Sequence, residues 1–413
     1  MQSSPITADT PSWLAFHPIT LADQQAMSAM RAIVEPNKGT LQGIEARVPF
    51  DAIMEQVSAP NDIDYEADNV GGVAGWWCRP EPAQPGRAIL HLHGGWFNWG
   101  SARSYRHLAG HLASTTGVPV FLPEYRLAPE HPFPAAVEDL KATFAGLRER
   151  GFTKISVTGD SAGGNLAIGL LVHVASASTA AREALVGGVA LSPVTDLTLS
   201  GSSRSSRASS DHYFTKTQVR TLVESYLAGH DPTDPLASPL QADLKRLATL
   251  RLHVGNDEVL QDDSVRLVER AVSSVVDARL DVWEGMVHGF LGGIGHLDAS
   301  TEALQLVGKF LVEVLAQSVV REPYQAWPGS SGMLRDFALR QSRNSLDACP
   351  KCCDRLLDHE SLVRPVRHNP LDDHERGEAE DRVPPRMRYH CVIPTWQSFI
   401  PGNFEEELYE TLK

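Results

Sequence analysis

The stretch Gly159-Asp160-Ser161-Ala162-Gly163-Gly164 directly follows the β-branched run Ile155-Ser156-Val157-Thr158 and precedes an apolar helical stretch over 166–174. A serine with glycine two positions away on either side, between a strand and a helix, is typical of a nucleophile exposed on a sharp turn. Bulky side chains at those two positions would collide across the turn, so glycine is favoured there. We therefore predict that Ser161 is a nucleophile and that the helix after it directs its positive end at the reaction centre.

A second glycine motif, His93-Gly94-Gly95-Trp96, follows the strand-like run over 88–92. Acyl transfer places negative charge on the former carbonyl oxygen, and backbone N–H groups directed at that oxygen lower the barrier. We predict that Gly94, Gly95 and Ala162 donate these hydrogen bonds. A simple glycine turn between strands is the alternative, and it would be preferred if Ser161 were absent.

Two later strand-like runs are followed by an acid and by a histidine. The run over 252–256 is followed by Asp257, and the run over 280–284 leads into a loop that carries His288. The chain order serine, acid, histidine is typical of α/β-hydrolases. In this interpretation His288 removes the Ser161 proton and returns it to the leaving alcohol, while Asp257 fixes the tautomer of His288 and stabilises its charged form.

Each of these two assignments has competitors. The acids close to Asp257 are Glu258, Asp262 and Asp263. We expect them to be solvated residues of a helix that starts just after Asp257. His296 competes with His288, but no strand-like run precedes it.

The motifs together resemble a known family. With the segment over 124–135 and His288-Gly289-Phe290, they are similar to those of the hormone-sensitive-lipase-like α/β-hydrolases, a bacterial type of carboxylesterase. The resemblance spans roughly residues 20–318. It implies a carboxylic ester hydrolase with the triad Ser161, Asp257 and His288, and a helical cap over the site. The family usually has a third glycine where this chain has Trp96, which places a large ring beside the acyl pocket.

Strand-like and helix-like runs alternate through most of the chain. This alternation indicates a mostly parallel, doubly wound sheet, which we predict to be eight-stranded in an α/β-hydrolase fold. We predict a cap segment over 1–60, a catalytic domain over 61–320 with a cap insertion at about 195–240, and an extension over 321–413. Two weakly amphipathic helical stretches are expected in the cap segment, around 21–34 and 51–57. Aromatic residues that we expect to line the substrate pocket are Trp96, Phe97, Tyr213 and Phe214.

Composition excludes several classes of partner. The net charge of −14 disfavours nucleic acid and anionic membrane surfaces. No apolar run is long enough to span a bilayer, and the first 25 residues lack the pattern of a secretory signal, so we predict a cytoplasmic protein without integral membrane contact. No dinucleotide-binding or P-loop motif occurs, and the proposed chemistry needs no cofactor.

The segment over 321–413 lacks the alternation of the rest and holds four of the five cysteines. Cys349 and Cys352 have the spacing of half a zinc site, but no matching pair follows, so we predict no metal. We expect this segment to be largely disordered.

Three functions are consistent with these motifs. The favoured one is hydrolysis of short- to medium-chain acyl esters by a Ser-His-Asp triad through an acyl-enzyme. Lactone hydrolysis would use the same triad. A non-catalytic small-molecule binding protein could share the fold. A small-molecule ester or lactone is thus the expected partner, and a homodimer is compatible with the sequence.

Overall fold

The computed structural model describes residues 11–317, which form a nine-stranded sheet flanked by helices. The strands are β1 (Leu14–His17), β2 (Ile63–Val70), β3 (Val73–Pro80), β4 (Arg87–Leu92), β5 (Val120–Pro123), β6 (Lys154–Asp160), β7 (Leu185–Leu191), β8 (Thr249–Gly255) and β9 (Ala278–Trp283). The helices are α1 (Leu21–Val34), α2 (Arg47–Met54), α3 (Ala102–Thr116), α4 (Ala135–Glu149), α5 (Ala162–Ala175), α6 (Thr179–Ala184), α7 (Ser203–Ser206), α8 (Lys216–Leu227), α9 (Gln261–Ser273) and α10 (Asp298–Ala316).

The sheet order is β1-β9-β8-β7-β6-β4-β5-β3-β2. Strands β4 to β9 and β1 pair in parallel, whereas β3 is antiparallel to both β2 and β5. The predicted mostly parallel α/β fold is confirmed, but the predicted number of eight strands is wrong. The ninth strand is β1, which pairs with β9 at the edge of the sheet.

The central strands are buried on both faces, as expected for a parallel sheet covered by helices. Five of the six residues of β4 and six of the seven residues of β6 are buried. Helix α5 is buried along most of its length, and helices α3 and α10 pack against each other in one apolar cluster that includes Leu112 and Leu311. The site therefore stands on a rigid, fully packed support.

The N-terminal segment contains the predicted helix over 21–34 as α1. The second helical stretch, expected near 51–57, is instead α2 over 47–54. The proposed domain limits remain predictions. The predicted extension over 321–413, with Cys349 and Cys352, lies outside the described residues.

Candidate active site

Ser161 occupies a sharp turn between β6 and α5. Its φ is +57°, in the left-handed region that side chains rarely adopt. A Cβ built on Gly159 would lie 2.1 Å from the Gly163 carbonyl oxygen, and one built on Gly163 would lie 2.0 Å from the Leu92 carbonyl oxygen. The two glycines are thus sterically required, for the reason that the sequence suggested. The Ser161 N–H donates to the Leu191 carbonyl at 2.8 Å, which ties the turn to the neighbouring strand.

His288 lies on the loop after β9, beside the serine. Its Nε2 is 2.9 Å from Ser161 Oγ, a hydrogen-bonding distance that allows direct proton transfer. The Phe214 ring meets the imidazole edge-on, with the ring centroids 5.0 Å apart. The structure therefore brings Ser161 and His288 together as the sequence predicted.

The acid that contacts His288 is Glu258, not Asp257. Glu258 Oε2 lies 3.0 Å from His288 Nδ1. Asp257 is only partly buried, and its backbone N–H donates to the Met286 carbonyl. Burial raises the pKa of its carboxyl, while the charges of Arg207 and Arg31 oppose this rise. The assignment of Asp257 as the partner of His288 is thus corrected by one residue.

The local geometry explains why the glutamate takes this position. The turn after β8 begins at Gly255, whose N–H donates to Glu258 Oε1 at 2.5 Å, so the side chain folds back over the turn. Ser192 Oγ donates to the same oxygen at 2.6 Å. Glu258 is completely buried, and its second oxygen is left for His288. Both carboxylate oxygens therefore have partners, as a buried charge requires.

Two opposing influences set the proton affinity of His288. Burial would lower the pKa of the imidazole, but the hydrogen bond and charge of Glu258 raise it, with further help from Asp160 and Asp211. The net result is a pKa above the ordinary value of 6.5. Asp160, buried beneath the turn, accepts a hydrogen bond from the Tyr105 hydroxyl at 3.1 Å, and burial raises its own pKa.

A cavity of about 180 Å³ opens beside Ser161 and His288. Its wall is mostly apolar, and it is formed by residues from α1, α2, α3, the loop after β4 and the segment over 212–218. Trp96, Tyr213 and Phe214 lie in this wall, as the sequence predicted. Phe97 does not: its ring stacks on Tyr226 with a centroid separation of 3.8 Å. The expectation that Phe97 lines the pocket is therefore wrong.

The sequence predicted that Gly94 and Gly95 of the loop after β4 face the reaction centre, but the loop places a different pair in the cavity wall. Gly95 and Trp96 lie in the cavity wall, whereas Gly94 does not. A Cβ on Gly94 would lie 2.6 Å from Asp160 Oδ2 and 2.8 Å from the Tyr105 hydroxyl, so this residue packs beneath the site. Ala162 begins α5, directly after the serine. Of the two predicted loop donors, Gly95 therefore lies in the cavity wall and Gly94 lies beneath it.

Sequence reasoning missed several other wall residues. Met30, Phe50, Met54 and His212 all line the cavity. They lie on surface segments whose spacing carries no functional motif, and only the fold brings them to Ser161. His212 in particular follows a Ser/Arg-rich turn that gave no indication of a role.

Other features of the described residues bear on partners. Among residues 11–317, no cluster of three or more His, Cys, Asp or Glu side chains is arranged to hold a metal ion. In the same range, no helix has the length and apolar character to cross a bilayer. Cys78 is buried and its thiol is free.

The chain is similar to several known proteins. A family model described as the α/β hydrolase fold matches residues 89–292. An acetyl-hydrolase of Streptomyces hygroscopicus is 35% identical over 289 residues, which cover 69% of this chain and 95% of that protein. Ethyl acetate hydrolase of Pseudomonas putida is 30% identical over 245 residues, which cover 57% of this chain and 75% of that protein.

Solved structures agree with these relatives. An esterase from the bacterial hormone-sensitive lipase family superimposes with a TM-score of 0.66 at 32% identity, over 71% of this chain and 99% of that one. The esterase EstE5, soaked with p-nitrophenyl butyrate, superimposes with a TM-score of 0.65 at 34% identity, over 71% of this chain and 99% of that one.

Proposed function

The chain belongs to the hormone-sensitive-lipase-like serine carboxylesterases of the α/β hydrolase fold, and from this premise we propose that Ser161, His288 and Glu258 form its catalytic triad. We further propose that it hydrolyses short- to medium-chain acyl esters. The observation that carries the proposal is the continuous hydrogen-bonded series from Ser161 Oγ through His288 to Glu258, at 2.9 Å and 3.0 Å.

The reaction begins when His288 Nε2 accepts the Ser161 hydroxyl proton as Ser161 Oγ attacks the ester carbonyl carbon. Glu258 holds His288 in the tautomer with the proton on Nδ1 and stabilises the imidazolium that forms. The tetrahedral intermediate collapses, the alkoxide takes the proton from Nε2, and the alcohol leaves. Water then attacks the acyl-Ser161 ester with His288 again accepting the proton. The second tetrahedral intermediate collapses, Ser161 Oγ leaves the acyl carbon and takes the proton back from Nε2, and the acid is released.

Negative charge on the carbonyl oxygen needs N–H donors on the cavity side of Ser161. We propose the backbone N–H groups of Gly95, Trp96 and Ala162 for this role. Two observations support the loop residues. Both lie in the cavity wall, and the carbonyls that share a peptide with their N–H groups, those of Gly94 and Gly95, are engaged by His93 Nδ1 at 2.8 Å and by Trp99 N–H at 2.9 Å. Each such donor stabilises the transition state by ~3–4 kcal/mol.

The size and lining of the cavity support compact, uncharged substrates. Its volume of about 180 Å³ is below the ~300–1,000 Å³ of pockets that hold drug-sized ligands. The names of two relatives, an acetyl-hydrolase and an ethyl acetate hydrolase, refer to acetyl esters. Both considerations favour short acyl chains over long ones.

Hydrolysis of p-nitrophenyl esters from acetyl to dodecanoyl tests the proposal, with Ser161→Ala measured in parallel. We expect the highest kcat/KM at short chains and a loss of about 10⁶-fold in kcat in the variant. Hydrolysis by the variant at the wild-type rate would remove Ser161 from the mechanism. Absence of hydrolysis at every chain length, with ligands still bound, would favour a non-catalytic binding protein.

A further inference from the structure

His212 is a buried polar side chain in the wall of the cavity that the triad does not use. It lies between α7 and α8 and is only 3% exposed. The neighbouring Asp211 fixes this segment: its carboxylate accepts from the N–H groups of Tyr213 at 2.9 Å and Val259 at 3.0 Å. Because Val259 follows Glu258, His212 is held in a constant position relative to the catalytic acid.

The contacts of His212 define its tautomer. Arg31 Nε donates to His212 Nε2 at 3.2 Å, so that nitrogen is the acceptor. Burial, followed by the charge of Arg31, lowers the pKa of His212 to about 4, and the ring is neutral near pH 7. A neutral imidazole whose Nε2 accepts carries its proton on Nδ1.

This Nδ1–H has no hydrogen-bond partner among residues 11–317. Trp96 repeats the pattern in the same wall, since its Nε1–H is also buried and without a partner in that range. Phe214 stands next to the Trp96 ring, with centroids 5.4 Å apart, and is two residues from His212. Two residues of the mainly apolar cavity wall thus carry a buried N–H donor without a partner among residues 11–317. An unpaired buried donor is costly unless a bound molecule supplies the acceptor.

We propose that His212 is a specificity-determining residue whose Nδ1–H donates a hydrogen bond to the substrate, and that the preferred substrates are esters with a second acceptor oxygen outside the scissile group. An ether, hydroxyl or carbonyl oxygen in the acyl or alcohol part meets this requirement. The inference rests on the proposed esterase function and deepens it. A site built to donate to a substrate oxygen discriminates against the analogue that lacks it, because the donor is then left unpaired.

Two pairs of isosteric esters test the proposal. 2-Methoxyethyl butyrate is compared with butyl butyrate, and ethyl 4-methoxybutanoate with ethyl hexanoate, so that each pair differs by an oxygen in place of a methylene. The measured quantity is the ratio of kcat/KM within a pair, for the wild type and two variants. Intrinsic reactivity cancels because every enzyme receives the same esters.

The two variants distinguish the role of His212 Nδ1 from that of Nε2. In His212→Asn the amide nitrogen takes the place of Nδ1 and retains the donor. In His212→Gln the amide reaches the place of Nε2, which retains the acceptor for Arg31 but removes the donor at Nδ1. Thermal unfolding of both variants verifies that they are folded at the assay temperature.

We expect at least one pair to show a preference for the oxygen-containing ester that falls about tenfold in His212→Gln and is retained in His212→Asn. Equal ratios in the wild type and His212→Gln for both pairs would overturn the inference, while hydrolysis of the alkyl esters would leave the proposed function standing. Failure of the wild type to hydrolyse any of the four esters would overturn both.

Discussion

Two walls of the same cavity are built on opposite principles. The catalytic wall, named for the proposed roles of Ser161 and His288 and backed by the buried Glu258, stands at the carboxyl ends of β6 and β8 and on the loop after β9. Its side chains hydrogen-bond to one another or to the turns beneath them. The outer wall (Met30, Phe50, Met54 and His212) comes from α1, α2 and the segment before α8. It is mainly apolar, and its His212 Nδ1–H has no partner within residues 11–317.

This difference separates chemistry from selectivity. On the catalytic wall, a shift of less than one ångström would break a proton-transfer distance, so buried hydrogen bonds hold each group. In the proposed function, the outer wall meets only the parts of a substrate that do not react. Its residues can therefore change the choice of ester while the reaction stays the same. Substitutions in the catalytic wall should therefore lower the rate for every ester, whereas substitutions in the outer wall should have smaller effects that differ from one ester to another.

The largest effect after loss of the serine is expected from Glu258→Gln. The amide retains the shape but not the charge that stabilises the His288 imidazolium, so kcat should fall by about 10³–10⁴-fold. Asp257→Asn is the matched control, because Asp257 does not contact His288, and its kcat should stay within about threefold of the wild type. Steady-state kinetics on p-nitrophenyl butyrate measures both. A larger loss in Asp257→Asn than in Glu258→Gln would restore Asp257 as the acid.

The pH profile of kcat/KM should show the next largest effect. His288 must be neutral to accept the serine proton, and its pKa is raised above 6.5. Activity should therefore be lost as the pH falls through that raised pKa, by about tenfold for each unit below it. In Glu258→Gln the acid limb should move to lower pH, because the main influence that raises the pKa is gone. If the acid limb of the Glu258→Gln profile lay at the same pH as in the wild type, Glu258 would not be the group that raises the pKa of His288.

The smallest effect is expected in the outer wall. Phe50→Ala removes a ring that packs near Trp99 and Tyr105, at centroid separations of 5.8 Å and 6.4 Å. The wider cavity should raise kcat/KM for octanoyl relative to acetyl esters by a few-fold, about the discrimination that one or two methylenes provide. Val48→Ala is the control, because Val48 lies on the same helix but is 78% exposed. An unchanged chain-length profile in Phe50→Ala would show that acyl chains do not reach this helix.

Much of the sheet and the two central site residues followed from local sequence. The turn around Ser161 could be predicted because a side chain at Gly159 or Gly163 would come within 2.0–2.1 Å of a backbone carbonyl, so both positions require glycine in the sequence. His288 followed from its place after a strand-like run. By contrast, β1 has only four residues, none of them buried, so it lacks the apolar alternation that marks a strand. Its pairing with β9, more than 260 positions away, becomes visible only in the fold.

The site residues that the structure places differently from the sequence-based prediction share a physical cause. The conformation of a single turn decides whether Asp257 or Glu258 meets His288. It likewise decides whether Gly94 or Trp96 faces the cavity. Turn geometry is not encoded in periodicity, and here it depends on distant partners such as Ser192, which donates to Glu258. The outer wall is harder still, because residues such as Met30 and His212 meet only through the tertiary fold. Local motifs therefore located Ser161 and His288 but not the residues of the outer wall.

The central claim is that Ser161 is activated by His288 paired with Glu258. The most direct test is the rate at which a fluorophosphonate labels the wild type, Glu258→Gln and Asp257→Asn, with the labelled peptide identified by mass spectrometry. We predict labelling of Ser161 that is strongly slowed in Glu258→Gln and close to the wild-type rate in Asp257→Asn. Labelling at another residue, or slowing in Asp257→Asn alone, would contradict this account.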